Sequence, residues 1–262
     1  MRTHKHILLT QVDGVATVTI NREERLNSIS IETTGELTDA FRSLAADGSL
    51  RAVVVTGAGS RAFCAGADTG DMVPRGYMEY EALVRFYFDF LRALRAIPVP
   101  VVARLNGDAV GGGCCMAMAC DLRVAADHAR LGVPFVRIGL SGADLAASYL
   151  LPRIVGVGRA SELLLTGRLV DAPEAQQIGL VNEVVPGAEL DAAVDRFVQC
   201  FAQGPPIALR LTKQAVRRNV DRDFEAAIDF ETYAQARCLD TQDFLEGSAA
   251  FREKRPPQFT GR

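Results

Sequence analysis

The chain has 262 residues, 48% of them apolar and 23% charged, with a formal net charge of −3. That length buries a full core in one domain, with or without a helical appendage, and the near-neutral balance gives no electrostatic footing for nucleic acid or an anionic membrane. No apolar run is long enough to span a bilayer, and the opening stretch MRTHKHILLTQVDG is too polar for a secretion signal, so the expected setting is the cytoplasm.

ILLTQVDGVATVTI reads as two strands around an Asp13-Gly14 turn. Ser30 suits an N-cap, and Leu37, Phe41 and Leu44 follow at helical spacing, which predicts a helix over roughly 31–46. RAVVVTG carries Val on both faces, as in a strand covered on both sides. Leu83, Tyr87, Phe90 and Leu94 mark a long amphipathic helix from about 77 to 96, ended by Pro98 and Pro100. The aromatic run Phe86, Tyr87, Phe88, Phe90 reads as core packing. VPVVARLNG is a further strand, GGGCCMAMAC opens a short helix of small residues, and DLRVAAD is another strand.

From Asp144 the pattern turns mostly helical. ADLAASYLL, GRASELLLTG and DAPEAQQIGL are short helices, with Pro173 suited to the first turn of the third. GLVNEVV is a last short strand, and longer helices follow near 188–203, 205–219 and 222–239, then a final helix and the tail KRPPQFTGR. The expected organisation is an α/β core over 1–190 and a helical region over 191–262 that makes subunit contacts and closes the site. Six cysteines stand at 64, 114, 115, 120, 200 and 238 without a C-x-x-C pair or a histidine cluster. They read as small buried thiols, and no metal site is expected.

Two glycine loops carry the chemistry. In VVVTGAGSRAFCAGAD, Gly57, Gly59 and Ala62 fit the spacing of a dinucleotide-binding turn. That reading needs a helix after the turn and an acidic residue about 20 positions on at the end of a second strand. Here that position falls inside the long helix, and the next strand ends only at Asn106-Gly107-Asp108. The second loop, NGDAVGGGCC, lacks the Lys-Ser/Thr pair of a phosphate loop. Taken together, the loops fit another design. Each follows a Val-rich strand and turns through small residues, so two backbone N–H groups can converge on one oxygen, as in an oxyanion hole. The second runs directly into a helix, whose N-terminal dipole adds to the effect.

With REERLNSIS (22–30), AFCAGAD (62–68), NGDAVGGG (106–113), CDLRVAAD (120–127), LPRIVG (151–156) and TGRLVDAPEAQQIGLVNEVV (166–185), the sequence resembles the enoyl-CoA hydratase/isomerase (crotonase) family over nearly its whole length. The resemblance implies a β-β-α spiral with a helical C-terminal trimerisation region, homotrimers often paired into hexamers, and an acyl-coenzyme A thioester as substrate, with no permanently bound cofactor. It places the oxyanion-hole donors on the backbone N–H groups of Ala67 and Gly112. Ala65, Gly66, Ala67 and Asp68 then line the adenine and pantetheine side of CoA, Gly111 and Gly112 also contact it, and Arg25, Leu26 and Asn27 lie along its nucleotide, with Arg25 as phosphate contact. Read as a residue alone, Arg25 fits a solvated surface charge equally well.

The family's hydratases use two glutamates, and the matching positions here are Cys115 and Phe135. Adding water needs one group to take a proton from it and another to deliver one to carbon. Cys115 and Phe135 do not replace that pair. One carboxylate remains, Asp144, matching an Asp that dienoyl-CoA isomerases use to move a proton. The same position is a nucleophile in chlorobenzoyl-CoA dehalogenases, but those also need a His and a Trp. This chain has no Trp, and its three His lie elsewhere. Asp144 also suits a helix N-cap, and both roles stay open. Cys115 is either a nucleophile or, more simply, a buried thiol. The expected activity is therefore double-bond isomerisation through a thioester enolate. Hydration by other acid–base groups and a non-catalytic CoA-thioester binding protein are the alternatives.

Overall fold

The structure, a computed structural model, describes residues 4–262. Strands β1 (Ile7–Val12) and β2 (Val15–Ile20) form the predicted hairpin. Asp13 and Gly14 both take positive φ, 49° and 79°, which matches the turn to the strands' twist. Helix α1 (Ile31–Ala46) starts at Ser30, whose Oγ accepts the Thr33 N–H at 3.2 Å, and it buries Leu37, Phe41 and Leu44.

A repeating unit follows. Its members are β3 (Ala52–Gly57), β4 (Ala62–Cys64) and α2 (Tyr77–Ala96), then β5 (Val101–Leu105), β6 (Asp108–Val110) and α3 (Gly112–Ala119), then β7 (Leu122–Ala126) and β8 (Arg130–Gly132). The first strand of each unit enters one sheet and the second enters another. The first sheet is ordered β1-β2-β3-β5-β7-β10 and the second β4-β6-β8-β9. The elements that complete them are α4 (Ala147–Val155), α5 (Val157–Thr166), β9 (Val170–Asp171), α6 (Ala172–Gln177) and β10 (Glu183–Val185). All pairings are parallel except β1–β2 and β8–β9. This is the β-β-α spiral expected above. The second sheet was not predicted. AFC and DAV are three-residue strands, too short to show a period.

The chain closes with α7 (Leu190–Gln203), α8 (Pro206–Asn219), α9 (Phe224–Leu239) and α10 (Gln242–Glu253). The Val-rich strands are buried on both faces. Val53, Val55, Val101 and Leu105 share a core with Phe41, Phe63, Phe90 and Leu94. Val54, Val102 and Val124 pack beneath Leu190, Val194 and Val198. Helix α7 is therefore part of the sheet's covering, whereas α9 and α10 leave Phe224 and Phe251 exposed. Of the aromatic run on α2, Phe90 is fully buried but Phe86, Tyr87 and Phe88 are only half-buried. Successive residues turn 100° around a helix, so one core face cannot take them all. Among the described residues no helix is long and apolar enough to cross a membrane.

Candidate active site

Strands β4 and β6 are parallel neighbours with Cys64 opposite Ala109, so the loops leaving their C-terminal ends emerge at one edge. Ala67 and Gly112 lie at equal distances beyond these partners. Ile29 bridges Ala67: its N–H donates to Gly66 O at 2.8 Å, and the Asp68 N–H donates to Ile29 O at 3.0 Å. Strand geometry then turns the N–H of Ala67 itself away from Ile29. Gly112 is the first residue of α3, and the first bond of that turn runs from the Cys115 N–H to Gly111 O at 3.0 Å. The Gly112 N–H is thus one of the donors a helix start leaves open. Neither N–H donates to another group among the described residues.

Glycine lets these loops touch. Gly66 takes φ 97°, and a Cβ there would stand 3.0 Å from Val110 O and 3.4 Å from Gly112 N. A Cβ on Gly113 would lie 2.1 Å from Cys64 O, so α3 packs directly on the end of β4. Asn106 holds the arrangement from below. It accepts from Gly57 N–H at 3.1 Å and donates to Gly59 O at 2.8 Å and Ala62 O at 3.1 Å. Its Asn-Gly signal was visible in the sequence as a loop, but its bracing role was not.

The walls around the two donors are apolar. A Cβ on Gly112 would come 3.0 Å from Leu145 Cδ1 and 3.4 Å from Ile29 Cδ1, and one on Gly111 would come 3.4 Å from the Phe135 ring. Cys115 is fully buried, and burial pushes its thiol well above the ordinary range, which makes it inert as a nucleophile. Cys64 and Cys114 are likewise pushed up to about 12.

Asp144 stands beside this wall. Its carbonyl faces Cys115 Sγ at 4.0 Å, and the next residue, Leu145, packs on Gly112. Burial raises its carboxyl above the usual range, against the opposing Leu145 N–H bond at 2.8 Å. The capping expectation is corrected. Helix α4 begins at Ala147 with Ala146 as N-cap, and Asp144 lies outside it. Leu145 and Ala146 both adopt left-handed conformations, φ 44° and 60°, because burying Leu145 against Gly112 bends the chain there.

The remaining loop residues divide by role. The Asn27 amide is committed to Ala58 O at 2.9 Å and Ala62 O at 2.7 Å, so it staples the first loop. Asp68 pairs with Arg22 at 2.8 Å and caps the Gly70 N–H at 3.0 Å, and these contacts hold its carboxyl below the usual range. Their backbone N–H groups are committed too, that of Asn27 to Arg22 O at 2.9 Å and that of Asp68 to Ile29 O at 3.0 Å. Leu26 is exposed, and its carbonyl accepts from the Ala65 N–H at 3.1 Å. The Arg25 side chain is exposed, with no hydrogen bond or ion pair among the described residues. Arg22 was quoted in the sequence motif but not singled out.

The dinucleotide reading fails on topology. Strand β4, not a helix, follows the Gly57–Gly59 turn, and the Glu23 carboxylate lies against Gly59 where a phosphate would need to sit. No group of three or more His, Cys, Asp or Glu among the described residues could hold a metal ion. The site offers two N–H groups without acceptors on neighbouring loops, one of them at a helix start, with one half-buried carboxyl and apolar walls.

A profile of the enoyl-CoA hydratase/isomerase family matches residues 10–262. The chain is 36% identical to a short-chain-enoyl-CoA hydratase of Clostridium acetobutylicum over 95% of both chains. It is 36% identical to a crotonyl-CoA hydratase of Syntrophomonas wolfei over 98% of both. The crystal structure of an enoyl-CoA hydratase from Bacillus anthracis superposes with a TM-score of 0.94 at 34% identity, covering 98% of this chain and 100% of that one. With the two-sheet spiral and the paired loops, these matches make the chain a member of the enoyl-CoA hydratase/isomerase family.

Proposed function

We propose that this enzyme shifts a double bond in an acyl-CoA thioester. The Ala67 and Gly112 N–H groups hold the thioester oxygen, and Asp144 moves the proton. In a 3-enoyl thioester the Asp144 carboxylate takes a proton from C2. The electron pair of that C–H bond spreads through the C3–C4 double bond and onto the thioester oxygen, where two N–H groups and the α3 dipole offset the charge. Asp144 returns the proton at C4, leaving a 2-enoyl thioester and regenerating the carboxylate. A raised carboxyl pKa suits this exchange, because the acid form is then easier to populate between the two transfers.

The observation that carries the reading is the pairing of two open N–H groups with one carboxyl against a wall of Phe135, Leu145 and Ile29. Arg25 is the proposed CoA phosphate contact, supported by its unpaired, exposed side chain beside the first loop. The exposed apolar side chains of α9 and α10 support a homotrimer, or two trimers paired, assembled through the helices of 191–262. A cytoplasmic setting fits the free thiols, of which Cys64, Cys114, Cys115 and Cys120 are buried, whereas Cys200, expected to be buried, is exposed.

A second reading, hydration, is favoured by the names of the relatives. It requires a second acid–base group that Cys115 and Phe135 do not supply. Carbonyl-labelled butyryl-CoA tests the hole itself. Its ¹³C resonance shifts downfield on binding if the two donors polarise the carbonyl. Gly112→Pro removes one donor, and because its ring also crowds Leu145 and Ile29 its Tm is measured alongside. It lowers turnover by roughly 10²–10³-fold and shrinks the shift. An unchanged resonance in the wild type contradicts the hole.

A further inference from the structure

Asp144 is held by a turn that needs support. Two successive non-glycine residues, Leu145 and Ala146, are left-handed there, and such conformations persist only where the surroundings over-determine them. On the inner side the support is plain: Leu145 is buried against Gly112, and the Ala147 N–H returns to Asp144 O at 2.8 Å. On the outer side the turn runs straight into α4, and that helix is gripped by one residue from a distant part of the chain.

Asp221 lies in the corner between α8 and α9. Its Oδ2 accepts the Tyr149 hydroxyl at 2.5 Å, and its Oδ1 accepts Arg153 Nη2 at 2.6 Å. Arg153 also donates to Tyr149 O at 2.9 Å, and its guanidinium lies 3.7 Å from the centre of the Tyr149 ring. The three side chains thus lock one another on α4, each carboxylate oxygen taking one donor.

The corner is itself anchored. On α8, Lys213 donates to Val99 O at 2.5 Å and pairs with Asp121 at 2.6 Å. Arg217 pairs with Asp121 at 2.7 Å and donates to Arg95 O at 2.5 Å. Asp121 follows the C-terminal end of α3, the helix whose first residue is Gly112. Side-chain contacts therefore tie the end of α3 to α8 through Asp121 and the α8–α9 corner to α4 through Asp221, with the chain itself joining the two clusters and leading from α4 back to Asp144. Together they tie the carboxylate to the same helix that presents one of the two donors.

We infer that Asp221 is a positioning residue: by clasping Tyr149 and Arg153 it fixes α4 and thereby sets the reach of Asp144 over the oxyanion hole. This rests on the reading of Asp144 given above. Both ionic partners are partly exposed, at 36% and 43%, so the pair adds little to global stability. A shift of under 1 Å in a catalytic group, by contrast, is costly in rate.

The test uses Asp221→Asn and Tyr149→Phe in the full chain. Exchange at C2 of 3-hexenoyl-CoA is followed in D₂O, and the Kd for butyryl-CoA is measured alongside. Both variants are expected to lose about tenfold in exchange rate, with Kd and Tm nearly unchanged. Asp221→Asn is expected to cost nothing further in an Asp144→Asn background. Full exchange in both single variants, or an equal fractional loss with and without Asp144, overturns the clasp alone. A wild-type rate indifferent to Asp144→Asn overturns the reading of Asp144, and the clasp with it.

Discussion

In the proposed oxyanion hole every donor belongs to the backbone; beside it, at the turn before α4, the proposed proton carrier is a side-chain carboxyl. The hole is specified by strand pairing and by glycine sterics. Cys64 opposite Ala109 sets the register, and Gly66, Gly111, Gly112 and Gly113 let the loops close without a Cβ between them. A Cβ is most tightly excluded at Gly113, where it would meet the Cys64 carbonyl. The wall beside the hole is specified only by which side chains fill it. Cys115 and Phe135 occupy it with sulfur and ring, well packed and uncharged. On this reading the groups proposed to hold an enolate and those proposed to move protons are built from separable parts of this chain.

That contrast can be broken from either side. The largest effect is expected at Gly113→Ala, where the added methyl meets the Cys64 carbonyl at 2.1 Å inside a fully buried helix. Backbone cannot yield there, and the variant is expected to lose several kcal/mol, read as loss of a cooperative unfolding transition or of soluble protein. Native-like stability in this variant would show that the hole tolerates what its sterics forbid.

A smaller effect is expected at Cys115→Ala. Its thiol is buried and protonated, so removing the sulfur costs about 1 kcal/mol in packing and leaves turnover within about threefold. Complete loss of turnover would make Cys115 a reacting group and move the chemistry off Asp144.

The smallest effect concerns pH. Asp144 has a folded-state pKa above its ordinary 3.8 because burial disfavours its charged form. The native chain then binds this proton more tightly than the unfolded one. The stabilising contribution is present at low pH and is lost as pH rises from 3.8 through the raised value. Asp144→Asn removes that loss, so the variant is expected to have a slightly higher Tm than the wild type at pH 7. The two values should converge toward pH 3. A variant less stable than the wild type at pH 7 would mean that the carboxylate is held by favourable contacts.

Much of this was legible in the sequence, for physical reasons that differ by element. The Asp13-Gly14 turn, the Ser30 cap and the Val-rich strands each carry a local signal that tertiary packing left undisturbed. The two glycine loops were readable because close backbone approach demands small residues. Their partnership became geometric only through the second sheet, whose strands of two or three residues carry no periodicity. For Asp144 the sequence left proton transfer and helix capping both open, because aspartate favours an N-cap. Burial of Leu145 against Gly112 outweighed the capping preference and moved the helix start to Ala147. The support from Asp221 was not legible at all, since nothing local connects position 221 to position 149.

The most direct test of the central claim is NMR of 3-hexenoyl-CoA and crotonyl-CoA incubated with the wild-type enzyme and Asp144→Asn in D₂O. Deuterium is expected at C2 and C4 of the hexenoyl group, with migration to the 2-enoyl isomer and no 3-hydroxyacyl product. In Asp144→Asn that exchange should fall by roughly 10²–10⁴-fold. Ready hydration of crotonyl-CoA, or exchange that survives in Asp144→Asn, would contradict that claim.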